Sequence, residues 1–234
     1  MKRTANRTKL FAATDCVIFG FDGESLKILL IQRLFEPEKG KWSLMGGFIN
    51  KEEDCETAAS RVLKHLTGLT NIYMEQLHTF SKIDRDPRER IISTAYFALI
   101  DIHKYHKQIS KDYNAEWFPV NKMPKLAFDH TEIAETAKKR LRYKAAVHPI
   151  LFELLPEKFT IPQLQLLYES VYDTAFDKRN FSRKLLSTQL LIKQNDKNKT
   201  TSKKGAYYYK LDKKKYLSNF QTFLNIVPNP HNFI

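Results

Sequence analysis

Gly46 to Leu69 reads GGFINKEEDCETAASRVLKHLTGL: a glycine pair, acids at Glu52, Glu53, Asp54 and Glu56, then a stretch with helical spacing. Carboxylates gathered on one helix face can hold a hard divalent cation such as Mg²⁺. A cation so held can polarise a phosphoanhydride and activate water. That chemistry needs carboxylates within the helix. After Arg61 the chain instead offers Val62, Leu63, Lys64, His65 and Leu66. Valine and leucine have no metal-binding group, and one imidazole is a poor ligand for Mg²⁺. The upstream acids stand where negative charge favours a helix N-terminus, and His65 reads as a structural or surface histidine. No catalytic residue, metal ligand or cofactor is expected here.

A second chemistry-bearing stretch lies further on. From Phe181 to Lys215, 11 Lys and Arg residues face only Asp196 and Asp212. On the turn and helix that open this stretch, Lys178, Arg179, Asn180, Arg183 and Lys184 are types that bond base edges and phosphates. Arginine pairs bidentately with guanine, and asparagine with adenine, in the major groove. Recognition helices generally use their N-terminal part for this. Thr201, Ser202, Lys203 and Lys204 fall in a polar, lysine-rich loop suited to backbone phosphates, contacts that position a protein and make affinity salt-dependent. Tyr207, Tyr208 and Tyr209 are expected to form a strand with alternate rings facing core and solvent.

The chain of 234 residues has a formal net charge of +13, which suits a polyanionic partner or plain solubility equally well. Cys16 and Cys55 are too few for a disulfide framework and lack metal-ligand spacing, so the reduced thiols of a cytoplasmic protein are expected. MKRTANRTKLFAATD lacks an apolar stretch of signal-peptide length. No segment approaches about 18 uninterrupted apolar residues, so no membrane partner is expected.

These residues need elements to position them. Cys16 to Phe21 and Leu26 to Ile31 are β-rich runs around an Asp22–Ser25 turn. A short glycine-broken segment covers Trp42 to Ile49, helical spacing covers Glu52 to Leu66, and strands are predicted within Asn71 to Ile83 and Arg90 to Ile102. A helix is predicted over Thr131 to Lys144. After His148-Pro149 the pattern changes: Thr160 caps a helix with Pro162 in its first turn, a turn follows around Asp173 to Asp177, and Lys178 to Leu186 is a basic helix. Leu190 to Lys193 and Ala206 to Leu211 are strands around a Gln194 to Gly205 loop. That order is a winged helix-turn-helix. The fold class is α+β, with a first domain over 1–147 and a second over 148–234.

The first stretch resembles the Nudix signature: Gly47, Glu53, Arg61, Leu63, Gly68 and Leu69 fall in register. The family's helix glutamates correspond to Val62, His65 and Leu66, so the resemblance holds for the scaffold and fails at the metal site. With the winged helix, and with KWSLMGGFI, IDRDPRERIISTAYFAL, AFDH and FTIPQLQLLYESVYDTAFDKRNF, nearly the whole chain resembles the bacterial Nudix-related transcriptional regulators. That resemblance implies a Nudix-like α/β/α sandwich that dimerises and binds a small effector, followed by a winged helix that binds double-stranded operator DNA as a homodimer, often as a repressor. MGGF and YMEQ look closest to the branch governing sugar metabolism, which implies a pentose such as arabinose as effector, with ADP-ribose or a related nucleotide second. Residues expected near the effector are Arg33, Phe35, Trp42, Asp84, Arg85, Glu89, Arg90 and Asp129. Two other readings stay open: a Nudix hydrolase with metals on Glu52, Glu53, Glu56 or other acids, and a non-specific nucleic-acid binder.

Overall fold

The computed structural model of the chain describes residues 9–70, 72–105, 114–199 and 204–218. A seven-stranded sheet forms its first half, built from β1 (Phe11–Phe21), β2 (Leu26–Gln32), β3 (Trp42–Ser43), β4 (Met45–Phe48), β5 (Tyr73–Phe80), β6 (Ile91–Asp101) and β7 (Glu116–Pro119). β1 runs parallel to β6 and antiparallel to its other neighbours. Its N-terminal part, Ala13 to Cys16, pairs with β4, while Ile18 to Phe21 pairs with β2. One edge of one strand is thus shared between two partners, and a cavity lies where they part.

Burial on both faces explains why β1 reads as an almost continuous apolar run. Val17, Phe19 and Phe21 enter one core with the helix α3 (His130–Val147), while Cys16 and Ile18 enter another with α1 (Cys55–Thr67). The sheet is therefore covered on both faces, which is the α/β/α sandwich. α1 starts where Asp54 accepts a bond from the Thr57 amide (2.7 Å) and stops at Gly68, whose φ of 76° is accessible to glycine at little cost. Cys16 and Cys55 are free thiols, and burial pushes the Cys16 thiol up to about 12. α2 (Ile102–Tyr105) is a single turn after β6.

The second half contains α4 (Ile161–Tyr172), α5 (Lys178–Ser187), the ribbon β9 (Leu191–Asn198) and β10 (Ala206–Leu211), and α6 (Lys213–Ser218). Thr160 caps α4 with the reciprocal Gln163 bond of a capping box. The helix-turn-helix elbow is held from within: Gln165 Nε2 donates to the Phe176 carbonyl (2.9 Å), and Glu169 accepts from the Phe176 amide (2.9 Å). β8 (Phe159–Thr160) joins the ribbon as a third strand, an element hidden in the sequence by the helix start it immediately precedes. β9 also runs through Gln194 to Asn198, residues expected to be loop. The C-terminal stretch 219–234 lies outside the described residues.

The two halves share one core. Phe19, Phe97, Leu141, Leu151, Leu164, Leu167, Phe181 and Leu185 all belong to it. No helix among the described residues is long and apolar enough to cross a membrane.

Candidate functional site

A cavity of about 720 Å³, counting its open mouth, lies where β2 and β4 part from β1. Its floor is an interlocked set of buried polar groups. The Arg85 guanidinium forks onto Asp129, with Nε to Oδ2 at 2.8 Å and Nη2 to Oδ1 at 2.9 Å, and reaches Asp15 Oδ2 at 3.1 Å. Ser93 donates to the same Asp15 oxygen at 2.6 Å. Burial works against the Arg85 cation, yet the Asp129 and Asp15 carboxylates hold its pKa above the ordinary value. Gly46 has no room for a side chain, because a Cβ there would meet Asp15 Oδ1 at 2.4 Å.

His130 completes the floor at the start of α3. Its Nδ1 accepts from the Leu44 amide at 3.2 Å, so the ring hydrogen sits on Nε2, which faces Asp15 Oδ1 at 3.5 Å. Burial lowers the His130 pKa, outweighing the carboxylates nearby. Burial thus favours the neutral ring, whose Nε2–H points toward Asp15.

The mouth is cationic and aromatic. Arg33 lies 4.7 Å over the Phe128 ring and donates from Nε to the Pro37 carbonyl at 2.9 Å. Its pKa is lowered, first by burial and then by Arg88, which also lines the cavity. Two guanidiniums thus share one mouth, with the Asp86 carboxylate 3.8 Å from Arg88 offsetting part of their repulsion. Phe128 has a φ of +52°, a left-handed backbone conformation that costs a bulky residue about 1–3 kcal/mol and is often retained at functional positions.

Arg33 and Arg85, anticipated from sequence, line the cavity, and Asp129 holds Arg85. The other expected residues stand elsewhere. Phe35 is 75 % exposed, outside the cavity. Trp42 packs edge-on against Phe118 at 4.8 Å and joins the core. Asp84 and Glu89 are exposed on the loop, and Arg90 turns to the Lys82 carbonyl at 3.1 Å. Sequence reasoning does not reach Asp15, Ser43, Phe128 or His130. The AFDH run holds two of them, but only a fold brings Asp15 and Ser43 alongside.

The metal-binding helix of the Nudix scaffold does not fit Mg²⁺ here. Val62 and Leu66 are 3 % and 9 % exposed within the core against α1, and His65 is exposed. Glu53 is occupied: it accepts from Arg61 Nη2 at 2.8 Å and from the Asn50 amide at 3.0 Å, and the Arg61 guanidinium draws its pKa down to about 2. Arg61 also donates to the Phe48 carbonyl at 2.9 Å, tying the acidic loop to β4. Among the described residues, no three His, Cys, Asp or Glu side chains converge as a metal site.

On the nucleic-acid side, Asp177 caps α5 through the Asn180 amide (2.8 Å). Phe181 and Leu185 turn inward, leaving Lys178, Arg179, Asn180 and Arg183 exposed and Lys184 half-buried. Arg183 Nη2 donates to Asn180 Oδ1 at 2.7 Å, so the two form one polar unit. Lys204 is exposed beside the wing, while Thr201, Ser202 and Lys203 lie outside the described residues.

α3 joins the two sites. Its first residue is His130; two or three turns on, Lys138 and Arg142 both bind Asp173 at the helix-turn-helix elbow, Lys138 at 2.9 Å. Arg142 also donates to the Val171 carbonyl at 2.7 Å, and its own carbonyl accepts from the Tyr172 hydroxyl at 2.7 Å. At 1.5 Å per residue, His130 and Arg142 stand about 18 Å apart along one rigid element.

Residues 9–140 match the model of the NUDIX domain, and residues 151–211 match that of the NrtR DNA-binding winged helix domain. The "ADPR responsive transcriptional repressor NtrR" of Acinetobacter baylyi is 34% identical over 214 residues, spanning 90% of this chain and 85% of that protein. Shewanella oneidensis NrtR in complex with a 27mer DNA superposes with a TM-score of 0.76 at 32% identity, covering 88% of this chain and 95% of that one. Its NUDIX domain in complex with ADP ribose superposes at 0.50 and 34% identity, covering 60% and 94%. An ADP-ribose pyrophosphatase of Methanocaldococcus jannaschii is 35% identical over 144 residues, 61% of this chain and 82% of that protein. Similarity that runs through both halves, on a sandwich joined to a winged helix, places this chain in the family of Nudix-related transcriptional regulators.

Proposed function

We propose that the chain is a transcriptional repressor whose Nudix cavity binds ADP-ribose without cleaving it, and whose winged helices bind operator DNA as a dimer. The observation that carries this reading is that a cationic cavity and the helix-turn-helix elbow are tied to the same helix, α3. Arg33 and Arg88 face one mouth, and a diphosphate between them relieves their mutual repulsion and replaces lost hydration with charge-assisted bonds. The Phe128 face and the Asp15–His130–Ser43 floor suit an adenine or ribose through stacking and paired hydrogen bonds. A pentose, the effector first expected, carries no charge for the guanidiniums to meet, and the similarity to ADP-ribose-responsive repressors supports the nucleotide instead.

Silence as an enzyme rests on α1. With Val62, His65 and Leu66 in place of helix glutamates, α1 lacks the carboxylate face that would hold the cation polarising a phosphoanhydride. A dimer suits a palindromic operator, each subunit reading one half-site with α5. For ligand to control DNA, it must bind the DNA-competent and incompetent arrangements unequally.

The test is fluorescence anisotropy of a duplex from the region upstream of the chain's own gene, titrated with ADP-ribose and, in parallel, arabinose. A saturable change with ADP-ribose and none with arabinose is expected. The reverse order, or no response to either, would refute the reading.

A further inference from the structure

The wing holds a cluster that the effector reading leaves unused. The Tyr207 ring on β10 carries two ammonium groups: Lys193 Nζ lies 3.7 Å from the ring centroid and Lys197 Nζ 4.3 Å. Among the described residues neither lysine is ion-paired. The nearest acid on their strand, Asp196, binds Lys158 at 3.1 Å. Two cations gathered on one exposed aromatic repel each other. The ring quadrupole offsets this by only about 0.5–1 kcal/mol per contact at an exposed site, which leaves both ammonium groups open to an anion from outside the chain.

The ribbon's register shows which side the cluster faces. Opposed residues of an antiparallel pair share a face: Leu191 opposes Leu211, Lys193 opposes Tyr209 and Lys197 opposes Tyr207. Leu191, Tyr209 and Leu211 pack on the core that contains Phe181 and Leu185 of α5. The other face carries Ile192 and Lys210, which line the cleft toward the Nudix half, with Lys210 bound to Glu157. The register is irregular between Tyr209 and Tyr207, but Lys193, opposite Tyr209, lies over the Tyr207 ring together with Lys197, so the cluster stays on the face that carries the recognition helix. The partners of Leu191 and Lys197 on β10, Leu211 and Tyr207, are four residues apart, which puts Lys197 about 13 Å beyond Leu191 along the ribbon, enough to pass from one groove wall toward the flanking backbone.

We propose that Lys193, Lys197 and Tyr207 form a phosphate clamp on the wing strands, gripping the DNA backbone beside the groove entered by α5. This rests on the DNA-binding reading and deepens it, moving the wing's contact from its lysine-rich tip to its strand face. The tyrosine pre-orders two flexible lysine stems, so less side-chain entropy is lost when phosphates arrive. Because phosphates carry no base code, the clamp adds affinity without adding specificity.

Lys193→Gln/Lys197→Gln keeps the stems and removes the charges. Binding is measured by anisotropy to the upstream duplex and to a mixed-sequence duplex, across about 50–200 mM salt. The slope of log affinity against log salt is expected to flatten by about 1.8, at about 0.9 for each phosphate no longer neutralised, with both duplexes weakened by the same factor. Tyr207→Phe, which keeps the aromatic face, should bind like the wild type, and Tyr207→Leu should bind several-fold more weakly. An unchanged slope, a loss confined to the upstream duplex, or a Tyr207→Phe variant as weak as Tyr207→Leu would overturn the clamp. Arg183→Ala separates the two levels. If it impairs binding while the double lysine variant does not, the clamp alone fails; if the wild type binds neither duplex, the DNA reading fails and takes the clamp with it.

Discussion

Arg85→Met is the most informative change to the cavity floor, because the structure makes Arg85 a structural cation before it is a ligand contact. Its side chain is 5 % exposed and bonds two carboxylates that are themselves 7 % and 9 % exposed, Asp15 and Asp129. Methionine fills similar volume, so the change leaves little void and removes three charge-assisted bonds. Stranding buried charge in this way costs about 3–5 kcal/mol, most of it the penalty of unpaired carboxylates. For a chain of this size that corresponds to a fall of roughly 6–20 °C in Tm, at about 2–4 °C per kcal/mol. Arg33→Met, at the mouth, should cost no more than about 1 kcal/mol while weakening ADP-ribose. Urea unfolding followed by tryptophan fluorescence and circular dichroism reads both variants. Adding Asp15→Asn to Arg85→Met should recover part of the loss, a coupling that a double-mutant cycle isolates. A cost below about 1 kcal/mol for Arg85→Met, or no coupling to Asp15, would show that the floor is not the interlocked ion network described above.

Three further outcomes follow from named contacts. Arg183→Ala should weaken operator binding by about 1–3 kcal/mol, the worth of a base-edge pair, with ADP-ribose affinity unchanged by calorimetry. Asp173→Asn removes the charge that Lys138 and Arg142 grip while tolerating its left-handed backbone (φ 52°); the ratio of operator affinities with and without ADP-ribose should shrink toward one, each affinity being measured by anisotropy. Burial holds the His130 pKa below its ordinary 6.5, so below that pH the unfolded chain binds the extra proton. Stability is then lost as pH falls from about 7 through 6.5 toward the folded value. His130→Asn should make urea midpoints less pH-dependent over that window, leaving the slope from His148, which burial shifts in the same direction.

Local chemistry was legible in the sequence wherever one residue dictates one conformation. Thr160 and Pro162 start a helix because a side-chain oxygen and a fixed φ do so in any context, and the Asp22–Ser25 turn is closed by Asp22 accepting from two amides. The loss of carboxylates at Val62 and Leu66 could be read directly, and the structure adds that both side chains are core. The wing was half read. Gln194 to Asn198 is strand, but a ribbon wet on much of its surface lacks the apolar alternation that betrays a strand. The cavity was the least legible part. Phe35 and Trp42 look alike as aromatics near a strand, yet one is exposed and the other lies against Phe118. Asp15, Ser43 and His130 meet only because β1, β3 and the start of α3 converge, with Gly46 leaving space for the Asp15 carboxylate.

On the proposed function, this cleft holds its nucleotide intact. Equilibrium dialysis of the purified protein against ADP-ribose with Mg²⁺, followed by chromatography of what is recovered from the protein chamber, measures it directly. Saturable retention of uncleaved ADP-ribose, with no AMP above a protein-free control, is the predicted result. Recovery of AMP and ribose 5-phosphate, reduced by Glu53→Gln, would contradict it, and so would a failure to retain the nucleotide at all.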